Sequence, residues 1–459
     1  MKTLILTAAL GLIAMLADIL GYKKYLWGII MVALGAIFYV NLGEWTEGET
    51  YFNMITFDRF AVAFSSLLLV LAFIWFAVSK DQYESADFNK ADNYALILFA
   101  LTGTLLLVSF SNLAVLFLGI EILSIPLYIL AGSRKNDISS NEASIKYFIM
   151  GAFTTGILLF GIALIYGATG TFDIYQIAEF VSKNQGNIPA LFYSGMFLLL
   201  IALAFKVSAA PFHFWTPDVY EGAPIMITGF MATIVKTAAF AAFFRLFITC
   251  FETIAGNWTP TLTVITALTI LAGNLLAVYQ SSVKRMLAYS GIAQAGYLLL
   301  TLIVLNRDTE NALLLYTASY SVATLGAFTI LYFVQKAKGS DSFDAFNSLG
   351  KTHPLMAIVM AVCMLSLAGI PPAIGFFAKF YLFAAVLKAD AQHIWIVSLA
   401  VIGSLISVYY YFRLIIGMYS KEGELMELKS TPYLRIVLIA IISLIVIIGV
   451  TPAVLIDWL

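Results

Sequence analysis

Apolar residues in this chain come in long unbroken runs, without the alternation of a half-buried strand or the single stripe of a soluble helix. Read for membrane length, about 20 residues each, the runs fall near 3–20, 25–42, 58–79, 92–110, 112–131, 145–167 and 191–210. A second set falls near 223–250, 260–279, 286–305, 311–335, 354–387, 393–419 and 433–457. Only helices or closed barrels satisfy their backbone groups in lipid, and runs this long are helical. The pattern therefore predicts an all-α polytopic membrane protein of about 14 transmembrane helices, with no strands. Connections are short and polar, the longest at 168–190 and 336–353. No soluble domain is expected, and 1–459 reads as one transmembrane domain. The run 3–20 lacks an A-x-A cleavage site and is followed by many more, so it reads as the first span and not as a signal peptide.

Composition sharpens the picture. The chain is 62% hydrophobic and 11% charged, with a mean hydropathy of +0.95. A water-soluble protein has too much surface to hide that apolar excess, so the partner in solvation is the lipid bilayer. The net charge of −1 gives a nucleic acid no electrostatic hold. Cys250 and Cys363 lie inside apolar runs, as reduced core thiols do. No His/Cys/Asp cluster has metal-ligand spacing, and no Gly-rich phosphate loop follows a strand. Any redox cofactor is expected on another chain.

Basic residues set the expected orientation, because Lys and Arg are retained in cytoplasmic loops. Sixteen of the 25 Lys and Arg, among them Lys284, Arg285 and Lys429, fall in or beside loops that follow odd-numbered spans. Six, including Arg245 and Arg307, fall on the opposite side, and three lie inside spans. Both termini are expected on the outer side of a cell membrane. The acidic loop 41–57, with Glu44, Glu47 and Glu49, then also falls outside.

Four ionisable residues remain inside the predicted spans: Glu121 in the fifth, Lys206 in the seventh, Lys236 in the eighth and Lys379 in the twelfth. A charge at membrane depth is costly unless it faces protein or water, so such residues are functional candidates. Snorkelling to the interface is the competing reading, strongest for Lys206 and Lys379 and weakest for Lys236, which has long apolar flanks. Lysine suits proton transfer because loss of water or a neighbouring like charge weakens its hold on the proton, whereas a nearby carboxylate strengthens it. Glu121 and Lys206 would form such a switch, with the lysine charged when paired and discharged when separated. Asp18 reads as a solvated interfacial residue, and Glu142 with Lys146 as a local i, i+4 ion pair.

Helix breakers accompany two of these lysines. Pro211 follows Lys206, and Pro371 with Pro372 precedes Lys379. Proline frees backbone carbonyls, which membrane depth tolerates only where protein or a wet cavity satisfies them. Interrupted spans in corresponding positions point to a transport site. Five spans separate the breaks, suggesting a five-helix repeat over 91–250 (helices 4–8) and 260–419 (helices 9–13), flanked by helices 1–3 in 1–90 and helix 14 at 433–457. The correspondence is loose, since Lys206 precedes its break and Lys379 follows its own. Polar stripes lie nearby: Ser290, Gln294 and Tyr297 share one helix face, as do Tyr316, Tyr320 and Thr324. Each stripe fits either a chain of waters between lysines or hydrogen bonding between helices.

The segment K-V-S-A-A-P-F-H-F-W-T-P-D-V-Y-E-G-A-P from Lys206 to Pro224 closely resembles the signature of the antiporter-like subunit N family of NADH-quinone oxidoreductase, respiratory complex I. Further similarity covers almost the whole chain: G-I-E-I-L-S-I-P-L-Y around Glu121, E-A-S-I-K-Y-F from Glu142, S-V-K-R-M-L-A-Y-S from Ser281 and A-G-I-P-P-A-I-G-F-F-A-K-F-Y from Ala368. The resemblance implies fourteen helices, two inverted five-helix repeats with helices 7 and 12 broken, and a proton relay formed by Glu121, Lys206, Lys236 and Lys379. It also implies partners: other membrane subunits and, through them, a peripheral NADH-oxidising arm carrying FMN and iron–sulfur clusters, with quinone bound elsewhere. His213, Asp218 and Glu221, after the seventh span, are expected to assist proton entry or simply to structure the loop. Related antiporter-like subunits and the Mrp-type cation/proton antiporters share the buried charges but usually carry P-L-H-x-W-L-P or a similar variant, and the sister complex I subunits often add a histidine to the eighth span. This chain has P-F-H-F-W-T-P and no histidine between Pro224 and Cys250, which favours subunit N. Two other readings stay open: a cation/proton antiporter without electron transfer, marked by sodium-dependent proton flux, and a structural scaffold, indifferent to loss of the four charges.

Overall fold

A computed structural model describes residues 1–45, 49–83, 89–423 and 431–451. Glu47, Lys429 and positions 452–457 of the expected fourteenth span lie outside them. Among the described residues, eleven helices are long and apolar enough to cross a membrane, and three shorter apolar ones accompany them.

The first three crossings are α1 (Lys2–Leu16), α2 (Leu26–Gly43) and α3 (Arg59–Tyr83). Next come α4 (Lys90–Ser109), α5 (Leu113–Ala131), α6 (Ile138–Thr169), a short α7 (Ile174–Lys183), α8 (Ala190–Lys206), α9 (Trp215–Gly222), and α10 (Ile225–Phe230) running through a π-helical turn, Met231–Val235, into α11 (Lys236–Cys250). The remaining helices are α12 (Ala255–Val278), α13 (Val283–Ile303), α14 (Arg307–Lys338), a single turn α15 (Leu349–Thr352), α16 (Pro354–Ala368), α17 (Ile374–Ala389), α18 (Ile394–Ser420) and α19 (Pro432–Val450).

The order of elements repeats, and local chemistry repeats with it. Helices α6 and α14 are each 32 residues long and end on glycines in the left-handed region, Gly170 at φ 74 and Gly339 at φ 65. After each, the chain returns to pair with the residue that caps an earlier helix: Asp173 with Asn112 before α5, and Ser342 with Ser282 before α13. Within each half the first two helices cross on backbone. A Cβ on Gly103 of α4 would lie 2.5 Å from the Leu123 nitrogen of α5, and one on Gly273 of α12 would lie 2.3 Å from the Ala293 nitrogen of α13. Each half then carries its broken helix, α8/α9 or α16/α17. Because five crossings separate equivalent elements, the second half runs opposite to the first.

Several sequence expectations need correction. The polar loop after α2 is not free of strands. Glu49–Tyr51 and Ile55–Phe57 pair as an antiparallel hairpin. Phe52 and Asn53, both near φ +55, make its tight turn, a conformation Asn tolerates well. The stretch 168–190 holds α7, whose N-cap Asp173 accepts from the Tyr175 and Gln176 amides and whose Ile174, Ile177 and Val181 are buried. It is too short to register as a span, yet amphipathic enough to dock. The first helix stops at Leu16 and not near 20, whereas the run 354–387 divides at Pro371 and Pro372 as expected. Arg245, within the run 223–250, is buried in α11 and pairs with Asp58 at 2.5 Å.

Candidate functional site

Lys206 is the last residue of α8, where the helix breaks before Pro211. Its ammonium donates to Ser124 Oγ of α5 at 2.9 Å. Glu121 lies three residues earlier on α5, and it makes no ion pair with Lys206. One carboxylate oxygen of Glu121 is buried without a hydrogen-bond partner. Glu121 is partly buried, on an α5 face that also carries Leu118, Ile125 and Ile129, each more than half exposed. Lys206 is thus held by the Ser124 hydroxyl and not, as the sequence suggested, by the Glu121 carboxylate. Between Lys206 and α11 lies a small cavity lined by Leu123, Leu203, Trp215, Val235 and Ala239. It has about 20 Å³ for a water's centre, room for one molecule.

Lys236 is only 2% exposed and comes directly after the π-helical turn. Such a turn inserts a residue into the helix and re-aims the side chains beyond it. The Lys236 ammonium donates to the Gly291 carbonyl of α13 at 2.8 Å. Gly291 has no side chain to interfere: a Cβ there would sit 3.1 Å from Tyr320 Oη and 3.6 Å from Lys236 Nζ. Beside it, Thr237 and Ser321 hydroxyls meet at 3.1 Å, joining α11 to α14.

At Lys379 the second break explains the geometry. The carbonyls of Leu367 and Ala368 would bond, in an unbroken helix, to residues 371 and 372. Both are prolines and have no N–H. Lys379 Nζ supplies the missing donor, reaching both carbonyls at 3.1 Å, and lies 4.8 Å from the centre of the Tyr297 ring. In the first break the Trp215 indole donates to the Phe205 carbonyl at 3.2 Å.

The predicted polar stripes meet between these two lysines. Tyr316 donates to Gln294 Oε1 at 2.6 Å, and Gln294 Nε2 donates to the Leu367 carbonyl at 3.1 Å, the same oxygen Lys379 uses. Ser290 Oγ and Tyr411 Oη are 2.5 Å apart, and Gln294 Nε2 lies 3.4 Å from that hydroxyl. Tyr297 turns away to Asn274, which also holds Tyr410. Tyr320 Oη and Thr324 Oγ1 are buried with no partner. Ser290 and Gly291 are consecutive, so buried polar groups run from Lys236 to Lys379.

On the basic side, Asp218 and Glu221 lie on α9 and His213 in the break before it. Asp218 pairs with Lys146 at 2.8 Å and Arg285 at 3.2 Å, and Glu221 pairs closely with Arg285. Lys146 also pairs with Glu142 at 2.7 Å, as the i, i+4 spacing predicted. Burial pushes Asp218 upward, but the bonds and charges of Lys146 and Arg285 outweigh it and hold the carboxyl below its ordinary value. Burial lowers His213, whose Nδ1 has no partner. Asp218, Glu221, Lys146, Glu142 and Arg285 line a polar cavity of about 400 Å³, which His213 does not reach.

Sequence reading missed four residues here. Tyr411 and Asn274 lie in runs whose polarity is masked by apolar neighbours, and Gly291 is silent until its neighbours are seen. Lys284 was placed in a loop. It is 3% exposed, in the first turn of α13, and donates to the Glu221 and Ala223 carbonyls at 2.6 Å each. Among the described residues no group of three or more His, Cys, Asp or Glu is placed to hold a metal.

Comparison with known proteins agrees with this architecture. Residues 110–407 match the transmembrane family described as NADH:quinone oxidoreductase/Mrp antiporter. NADH-quinone oxidoreductase subunit N of Cytophaga hutchinsonii is 48% identical, covering 100% of this chain and 99% of its own. That of Flavobacterium psychrophilum is 41% identical, with 100% of both chains covered. A chain of respiratory complex I from Thermus thermophilus superposes with a TM-score of 0.82 at 31% identity, over 99% of this chain and 98% of that one. A chain of the Mrp complex from Dietzia superposes at 0.87 but only 20% identity, a likeness of fold alone. With relatives this similar matched from end to end, the chain belongs to the NADH-quinone oxidoreductase subunit N family of antiporter-like membrane proteins.

Proposed function

We propose that this chain is a proton-translocating membrane subunit of an NADH-quinone oxidoreductase and that Glu121, Lys206, Lys236 and Lys379 carry the proton. The observation that supports it most is the line of buried polar groups from Lys236 through Gly291, Ser290, Tyr411 and Gln294 to Lys379. An ammonium held only by neutral carbonyls gives up its proton more readily than one held by a carboxylate. Tyr, Ser and Gln side chains can pass that proton on once water joins them.

In this reading the cycle begins at the edge of the bundle. When Glu121 approaches Lys206, it holds the lysine charged. When it withdraws to the arrangement seen here, Lys206 discharges towards Lys236 across the single-water cavity, and Lys236 discharges towards Lys379 and outward. His213, Asp218 and Glu221 line the entry from the basic side, which is cytoplasmic by the positive-inside rule, placing both termini on the outer side of the cell membrane. A carboxylate only partly buried on an apolar helix face is costly against lipid. The α5 face that carries Glu121 therefore meets another membrane subunit, through which quinone chemistry moves the carboxylate. FMN, iron–sulfur clusters and quinone reside on partner chains. The halves 91–250 and 260–419 act as inverted repeats around the relay.

The test is Lys236→Ala in the intact complex, with proton uptake and NADH oxidation measured together. Pumping should be lost. Proton transport at the wild-type ratio would remove the lysines from the mechanism, and sodium-dependent flux from the chain without electron transfer would assign it to the antiporters instead.

A further inference from the structure

The proposed relay reaches Lys236 from Lys206, yet the space between them is nearly closed and mostly apolar. A different set of groups approaches Lys236 from the basic side. Lys284 is buried in the first turn of α13 and lines the polar cavity of about 400 Å³ together with Glu142, Lys146, Asp218, Glu221 and Asp341. Its ammonium has three N–H groups, and the Glu221 and Ala223 carbonyls take two. The third is available to another acceptor.

Seven residues along α13 from Lys284 is Gly291, whose carbonyl holds Lys236. Seven residues are two helical turns, so both lie on one face with a rise of about 10 Å between them. The facing helix, α14, runs the other way and presents Gln335, Thr324 and Tyr320 on a shared face. Gln335 lines the cavity. Oxygen atoms of all three are buried without a hydrogen-bond partner, and the Tyr320 and Thr324 side chains are only 4% exposed. Buried polar atoms are normally satisfied. Three orphaned oxygens along one face, ending where Tyr320 Oη and Lys236 Nζ flank Gly291, are what a file of transient waters would leave.

We propose that Lys284 is the loading residue of a second inlet, which delivers protons from the basic-side cavity to Lys236 without passing Lys206. A proton from cavity water forms an N–H bond on neutral Lys284. That ammonium then gives a proton to water in the file, and the Thr324 and Tyr320 hydroxyls each accept one proton and release another. The last transfer forms an N–H bond on Lys236. One proton enters and one arrives, with no redox change. The inlet rests on the assignment of Lys236 as a relay residue.

A purely structural role, in which Lys284 clamps α9 and the following loop to α13, makes a different prediction. Arginine can donate to both carbonyls but cannot be deprotonated in a protein. Intact complex carrying Lys284→Arg is reconstituted in vesicles, and protons moved per electron are measured beside Lys236→Arg and Thr324→Val. We expect all three to assemble, with Lys284→Arg slowing proton delivery about a hundredfold, the low end for loss of a proton-transfer group. Thr324→Val should slow it in the same direction, since it removes a hydroxyl of the file and leaves the clamp untouched. Wild-type pumping in Lys284→Arg or in Thr324→Val, with Lys236→Arg inactive, overturns the inlet and leaves the relay standing. Wild-type pumping in Lys236→Arg overturns the relay itself.

Discussion

Lys236 and Lys379 have the same assigned task, but their surroundings predict opposite consequences for stability when each is changed to methionine. Either substitution removes a charge whose desolvation costs several kcal/mol. At Lys236 the loss is one charge-assisted hydrogen bond, worth about 1.5–3 kcal/mol. The acceptor, Gly291, lies mid-helix and keeps its helical bond. Lys236→Met should therefore leave stability unchanged or raise it. At Lys379 two carbonyls depend on the ammonium because Pro371 and Pro372 cannot donate to them. Leu367 retains Gln294 at 3.1 Å, but Ala368 is left with no donor among the described residues. An orphaned buried carbonyl costs about 1–3 kcal/mol, and loss of the contact with the Tyr297 ring adds about 1–2 more. Lys379→Met should thus be the less stable by a few kcal/mol, while both lose pumping. Thermal denaturation of the detergent-extracted complex, tracked by release of this subunit, gives the comparison, and proton transport in vesicles gives the function. Equal stability of the two variants would refute the role given to Lys379 in satisfying the break.

The same geometry has other consequences. Tyr411→Phe removes the hydroxyl shared by Ser290 and Gln294, so proton transport per electron should fall with about 1 kcal/mol or less of destabilisation, measured by dye quenching and thermal midpoint. Gly273→Ala places a Cβ 2.3 Å from the Ala293 nitrogen and should drive α12 from α13, whereas Gly256→Ala meets nothing within 4 Å and should be tolerated; membrane yield of the two variants decides this. The Asp218 carboxyl is held below its ordinary value, so its bonds to Lys146 and Arg285 stabilise the α9 contact above the ordinary aspartate range and are lost as pH falls through the depressed value. Asp218→Asn should flatten that acid limb in a pH series of thermal midpoints, and an unchanged limb would assign it to other carboxyls.

What the linear chain determined is what depends on solvent. Lipid cannot hydrate a backbone or a charge, so apolar runs of membrane length announce helices, and Glu121, Lys206, Lys236 and Lys379 stand out by their cost. Prolines 211, 371 and 372 likewise announce breaks, since a missing N–H is a property of the residue itself. Only packing decided the rest. Whether Glu121 touches Lys206 depends on how α5 and α8 sit together, and Ser124 has taken that place. Lys284 reads as a loop residue because a helix start looks like a loop in sequence, yet α9 and α14 bury it. Tyr411, Asn274 and Gly291 carry no local signal, because their significance lies in hydrogen bonds and clearances to residues at least 20 positions away along the chain. Hydropathy registers the cost of each residue against its surroundings, and it is blind to which polar groups later meet to cancel that cost.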